Sequence, residues 1–354
     1  MEKRLNRARN HLKGLDAVVF VHKHTIRYLC RFSGTEAIML LTAADAFLYV
    51  DSRYVTQAIE ETNGVSVIQV SEKWEDVYDH IHNLGIETLG IESNMMDVDT
   101  YIKIKDMFSG IEMTPIGRQL KDLRVVKDSH EIDIMRKAAL ISEEALDTVL
   151  QNGIVGRTEN DIAFELEWGM RKRGASAVSF ELIVASGPRS AMPHGVSSGK
   201  IIGCDESIVI DFGCIYQDYC SDQTITVYSG KPPQEFVNVY QIVSEAQQRA
   251  IRGISAGKKA SEIDNLARGF IKEKGYGAYF GHGLGHGVGM EVHESPAVSA
   301  RSDDILEEGM VITIEPGIYI PSKFGIRLED SLLITDNSCQ FITNLDKGAI
   351  KIIN

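Results

Sequence analysis

The chain has 354 residues, enough for two domains of ordinary size. With 44% apolar and 25% charged residues it can bury a sizeable core, which excludes a disordered or fibrous chain. The formal net charge of −13 argues against duplex nucleic acid or an anionic membrane as a partner, because both attract basic side chains.

Residues 2–13 read as a helix, with no apolar core and cleavage site of a secretion signal. No run of 18 apolar residues occurs, so no membrane span is expected and a cytoplasmic chain is the reading. The segments 16–21, 38–42, 46–50, 65–70 and 87–92 read as strands, with helical stretches near 54–62, 73–84 and 97–108. Strands alternating with helices predict an α/β domain on a largely central sheet. Between 109 and 126 the periodicity is lost among Gly, Pro and charges, which sets domains at 1–122 and 123–354.

From residue 128 the pattern changes. A long amphipathic helix covers 128–151, with Asp128 or Ser129 as its N-cap and Glu131 in its first turn. Thr158 caps a second helix over 159–173. Two more are expected at 234–252 and 261–274, the last capped by Ser261. Strands cluster at 206–214, 219–228, 310–315 and 326–335. Helices with antiparallel strand pairs predict an α+β second domain. Cys30, Cys204, Cys214, Cys220 and Cys339 form no CxxC or CxxH pair, so free thiols are expected rather than disulfides or structural zinc.

Four segments carry polar residues where apolar ones would be expected. In ESIVIDFGCIYQDYCSDQTITVY (206–228), a turn centred on Tyr216-Gln217 puts Asp211 opposite Asp222. Like charges so placed need a shared proton or a cation between them, unless one merely ends a strand and the other caps a turn. In MVITIEPGIYIPSKFGIRLEDSLLIT (310–335), a turn near Ser322 puts Glu315 opposite Glu329. Four carboxylates turned inward are hard to explain by turn chemistry, since each uncompensated buried ion costs several kcal/mol. GHGLGHGVGMEVHESP (281–296) holds His282, His286 and His293 among glycines, a poor helix but a close-packed source of imidazole ligands. It lacks the Lys-Ser/Thr and strand–helix context of a phosphate loop. SGPRSAMPHGVSSGK (186–200) is a turn-rich loop with His194. Together these are the ligands of a two-metal hydrolase.

The order Asp-x10-Asp, GHGxGHGxGxxxHExP, EPGIY and RLED resembles the pita-bread metallopeptidases, and within them the Xaa-Pro branch of aminopeptidase P and prolidase. YLCRFSGTEAIMLL and VDSRYVTQA resemble that branch's amino-terminal domain, also seen in creatinase, and LRVVKDSHEIDIMRKAA resembles its linker helix. The resemblance implies a creatinase-like α/β domain, an α+β pita-bread catalytic domain and a homodimer. It also implies two divalent ions, manganese first, with cobalt, zinc or iron as alternatives. Asp211 and Asp222 would bind one ion, with Asp222 bridging. His286 and Glu315 would bind the other, with Glu329 bridging and Glu315 shuttling a proton. His194 and His293 match substrate-facing histidines, His282 a residue of the proline pocket, and Arg327 a support of the carboxylates.

The implied reaction is hydrolysis of the amino-terminal Xaa-Pro bond of peptides, with a strict Xaa-Pro dipeptidase as the alternative. Many prolidases carry Arg directly after HExP to meet a dipeptide's carboxylate. Ala297 stands there, and Arg301 is the nearby substitute, so the sequence leans toward longer peptides. Methionine aminopeptidase usually lacks the first domain and spaces its last two glutamates further apart. Creatinase works without metals, and a non-catalytic binding module would typically have lost ligands.

Overall fold

The apolar segment Ala17–Phe20 lies inside a six-stranded mixed sheet, antiparallel to Ile38–Thr42 and parallel to Thr88–Ile91. Its side chains are buried on both faces, which is why the run is unbroken rather than alternating. Ala46–Val50 and Ser66–Gln69 extend one edge of this sheet and Glu112–Pro115 the other. The computed structural model describes residues 2–353, and its division into two compact units falls between Arg124 and Val125.

Three features of the first unit differ from the sequence reading. The opening helix is Glu2–Arg9 rather than 2–13, because Asn10, His11 and Leu12 donate three residues back and tighten into turns. Glu112–Pro115 is a short edge strand inside the stretch expected to be irregular, where Pro is tolerated. Lys23–Cys30 is a helix that local signals did not reveal. Its entry is fixed from a distance: the Glu92 carboxylate accepts the backbone N–H of Val21 and of His22 and the Thr25 hydroxyl.

The second unit is built on two main sheets. One has the order Lys351–Ile353, Gln223–Ser229, Ser207–Phe212, Ile183–Ser186. The other has the order Glu294–Val298, Gly285–Gly287, Val311–Ile314, Asp330–Ile334, Cys339–Phe341. The helices Ser129–Gln151 and Glu159–Lys172 pack Leu146 and Leu166 into one core with Ile208, Ile210 and Ile225. The helices Gln234–Gly253 and Ala260–Glu273 pack Phe236, Val243 and Ile271 into another with Ile312, Ile314 and Leu332. The two sheets meet where the Glu329 N–H donates to the Thr224 carbonyl at 3.1 Å.

Helix starts follow their side chains where a cap is present. Asp128, not Ser129, caps the long helix in a reciprocal box with Glu131, and Thr158 does the same with Asp161. Ser261 is not a cap: the helix begins at Ala260 after Lys259, with no side-chain cap. The first acidic hairpin is also shifted. Its loop is Gln217-Asp218, both at positive φ (45° and 75°), and Asp211 pairs with Thr224. Such two-residue loops need positive φ at both central positions, and moving the turn centre by one residue moves the register by two. Asp222 therefore sits diagonal to Asp211 on the same face rather than opposite it. The second hairpin turns at Ser322, with Ile314 opposite Asp330 and Gly317 opposite Arg327, so Glu315 and Glu329 fall between paired positions.

Candidate active site

The residues expected from the sequence to bind metal, face substrate or support the carboxylates all line one cavity of about 390 Å³: His194, Asp211, Asp222, His282, His286, His293, Glu315, Arg327 and Glu329. Asp211 comes from Ser207–Phe212 and Asp222 stands just ahead of Gln223–Ser229. His286 is the middle of Gly285–Gly287, Glu315 follows Val311–Ile314, and Glu329 precedes Asp330–Ile334. The glycines flanking His286 are required by close approach. A Cβ on Gly285 would strike the Thr313 carbonyl, and one on Gly287 would strike the Ser295 carbonyl.

Ligand-capable atoms of Asp222, His286 and Glu329 lie within 4.8 Å of one another. His286 Nε2 is 3.5 Å from both Asp222 Oδ2 and Glu315 Oε1. Its Nδ1–H donates to the Gly287 carbonyl at 3.0 Å, which leaves the Nε2 lone pair facing the acids. Burial lowers the His286 pKa to about 4, so the ring is neutral near pH 7. Burial and neighbouring carboxylates push Asp222 and Glu315 well above the usual acid range, and Glu329 up to about 8. Asp211 Oδ1 and Glu329 Oε1 are buried without a hydrogen-bond partner. An orphaned buried acceptor costs about 1–3 kcal/mol. Crowded acids, a neutral imidazole and two orphaned oxygens form a donor set that fits divalent cations.

Arg327 is the counter-charge inside this cluster. Its Nη2 donates to Asp211 Oδ2 at 2.6 Å, its Nη1 to the Tyr319 hydroxyl and the Pro193 carbonyl at 2.9 and 3.0 Å, and its Nε to Thr224 Oγ1 at 3.1 Å. Thr224 Oγ1 in turn donates to Glu329 Oε2 at 2.7 Å. Since Tyr319 accepts from Arg327, its proton goes to His282 Nε2 at 3.0 Å, while His282 Nδ1–H donates to the Gly283 carbonyl at 2.8 Å. Both ring nitrogens of His282 are thereby occupied, and burial lowers its pKa to about 4. It presents a ring, not a ligand atom. His293 is exposed, its ring centroid 4.3 Å from that of His286, and His194 is exposed on the loop opposite.

Several supporting residues were not found from sequence. Thr224 reads there as an ordinary strand residue, and Tyr319 falls between the expected strands 310–315 and 326–335, in what is the strand Gly317–Ile320. Asp264 and Arg268 form a bidentate pair at 2.7 and 2.8 Å on one helix face. Arg268 also donates to the Phe280 and His282 carbonyls, and Asp264 Oδ1 accepts the Leu284 N–H, which pins the Gly-rich segment. Asp330 accepts from Lys347 Nζ, from Gln247 Nε2 at 3.0 Å and from Thr343 Oγ1 at 2.8 Å. One signal was available for Asp330. Adjacent strand residues point to opposite faces, so the Glu329-Asp330 pair has to bury a second acid behind the site.

Residues 133–336 match metallopeptidase family M24, and residues 4–126 match the creatinase/prolidase N-terminal domain. The Xaa-Pro dipeptidase of Pyrococcus furiosus is 40% identical over 333 residues, covering 93% of this chain and 94% of that protein. The crystal structure of an X-Pro aminopeptidase from Thermotoga maritima aligns with a TM-score of 0.91 at 39% identity, over 99% of this chain and 100% of that one. The Xaa-Pro dipeptidase from Bacillus anthracis aligns with a TM-score of 0.94 at 39% identity, over 99% of this chain and 98% of that one.

Proposed function

Because the chain belongs to metallopeptidase family M24, we propose that it hydrolyses the amino-terminal Xaa-Pro bond of peptides, using two divalent ions. The observation that carries this reading is the convergence of Asp222, His286 and Glu329 within 4.8 Å, beside the orphaned oxygens of Asp211 and Glu329. In it, Asp211, Asp222, His286, Glu315 and Glu329 would hold the two ions, Asp211 and Asp222 on one side of the cluster and His286 and Glu315 on the other. When bound, the ions supply Lewis acidity toward the scissile carbonyl and lower the pKa of water. Glu315 takes a proton from the attacking water and returns it to the proline nitrogen as the bond breaks. His194 and His293 donate to the carbonyl oxygen as it gains charge. The ring of His282, fixed by Tyr319 and Gly283, forms a wall for the proline ring.

Longer peptides are the proposed substrates. Among the described residues lining the cavity, the permanent cation is Arg327, and its guanidinium is engaged by Asp211, Tyr319, Pro193 and Thr224. Ala297, opposite His286 in the strand pair, adds no charge, and Arg301 is exposed and is not among the lining residues. A dipeptide carboxylate would meet no free fixed cation there. The dipeptidase reading is kept by the 40% identity to an Xaa-Pro dipeptidase.

The proposal extends to manganese as the native ion, which oxygen ligands with one imidazole accommodate. It also extends to a homodimer, to a cytoplasmic location and to a functional division at 1–122 and 123–354. Among the described residues no helix is long and apolar enough to cross a membrane. The deciding assay compares Xaa-Pro-Yaa, Xaa-Pro and Met-Ala peptides with purified protein. Cleavage confined to proline peptides is expected, and release of Met from Met-Ala with no action on Xaa-Pro would overturn the reading.

A further inference from the structure

We propose that Glu159 is a positioning residue for His194, holding both ends of the loop that carries it. The inference rests on the reading of His194 as a substrate-facing group. Glu159 opens the helix Glu159–Lys172 and is completely buried. Its Oε1 accepts the N–H and the hydroxyl of Ser186 at 2.8 and 2.9 Å. Its Oε2 accepts the N–H and the hydroxyl of Ser198 at 3.1 and 2.6 Å, and Arg189 Nε at 3.0 Å. One carboxylate therefore ties the end of the strand Ile183–Ser186 to the point where the chain returns past His194.

The helix start does not need this carboxylate as a cap, since Thr158 and Asp161 already form a capping box. Burying a carboxylate is costly unless charge-assisted hydrogen bonds surround it, and here all five donors come from the loop and its two ends. Other contacts lock the same segment. Arg189 Nη2 donates to the Val196 carbonyl at 2.6 Å, and Arg327 Nη1 donates to the Pro193 carbonyl at 3.0 Å. The loop thus joins the buried arginine at its tip to the buried glutamate at its base. His194 is exposed, so the loop backbone sets where its imidazole stands.

The test is a mutant cycle of Glu159→Gln with His194→Ala in the purified metal-loaded protein. An amide at residue 159 replaces one acceptor oxygen by an N–H group that faces donors, which releases one end of the loop. Metal content should stay at the wild-type level while kcat on an Xaa-Pro-Yaa peptide falls roughly 10–100-fold, the scale of misplacing a reacting group. The double mutant should be no slower than His194→Ala alone, because coupled residues are non-additive. Losses that multiply, or an unchanged kcat, would overturn the proposal. Hydrogen exchange over residues 187–197 supplies a readout independent of activity. Faster exchange there in Glu159→Gln is expected, and unchanged exchange would count against the proposal. If the protein cleaves no proline peptide, the functional reading fails while exchange still decides whether Glu159 holds the loop. Should Glu159→Gln not fold, Ser198→Ala removes one hydroxyl donor and carries the same cycle, with the same two outcomes.

Discussion

Arg327 donates to Asp211 through a 2.6 Å hydrogen bond that occupies Oδ2 and leaves the buried Oδ1 without a partner. The same guanidinium reaches Tyr319, Pro193 and Thr224, so one residue orients a carboxylate, two hydroxyls and a loop carbonyl. Lysine has one ammonium and no fork to do this. Arg327→Lys is predicted to weaken divalent-ion binding about 10–100-fold, the usual scale for losing a partner that orients a ligand. Titration against a metal-chelating dye measures it. An unchanged affinity would mean that the Asp211 orientation does not depend on Arg327.

Glu329→Gln is predicted to lose at least one bound ion per chain and several orders of magnitude in turnover. An amide oxygen is a neutral and poorer ligand than a carboxylate, and its N–H₂ group places donors where the structure offers acceptors. Elemental analysis of the purified mutant gives the ion count. Two ions and near-normal turnover would remove Glu329 from the ligand set.

His293→Ala and His286→Ala are predicted to differ in kind. His286 Nε2 faces the acids at 3.5 Å, so its removal should lower metal content. His293 is exposed beside it, and its removal should leave metal in place while slowing turnover about 100-fold, as for loss of one oxyanion donor. Metal loss in His293→Ala with retention in His286→Ala would exchange the two roles.

Substrate length is predicted to depend on residue 297. The wild-type protein should have a higher kcat/KM on Xaa-Pro-Yaa than on the matching Xaa-Pro dipeptide. Ala297→Arg should narrow or reverse the ratio, because an unpaired carboxylate at such a site typically costs about 2–5 kcal/mol. Efficient dipeptide cleavage by the wild type, with tripeptides ignored, would contradict the assignment and direct attention to Arg301.

The acids of the cavity were legible because they interrupt or border apolar strands, and His282, His286 and His293 because they fall in a glycine-rich segment, whereas His194 stands alone in a turn-rich loop. Glu315 and Glu329 show this most clearly, since the turn at Ser322 follows from Pro, Gly and charge between two apolar segments. Asp211 and Asp222 were legible as a pair but not in register. Whether a loop centres on Tyr216-Gln217 or Gln217-Asp218 is a choice between backbone conformations that composition leaves open. The helix Lys23–Cys30 and the strand Gly285–Gly287 were hidden for another reason. One is fixed by Glu92 far along the chain, and the other by Thr313 and Ser295 closing on glycines. Glu159 and Asp330 escaped notice for the same cause, because their donors are distant in sequence.

Metal dependence of proline-peptide hydrolysis tests the central claim most directly. The purified protein is stripped by exhaustive chelation, its residual ion content is measured, and kcat/KM on an Xaa-Pro-Yaa peptide is followed as manganese or cobalt is added back. Activity should vanish with the ions and return as the occupancy of the Asp211, Asp222, His286, Glu315 and Glu329 cluster rises. Undiminished hydrolysis by the metal-free chain would contradict the account.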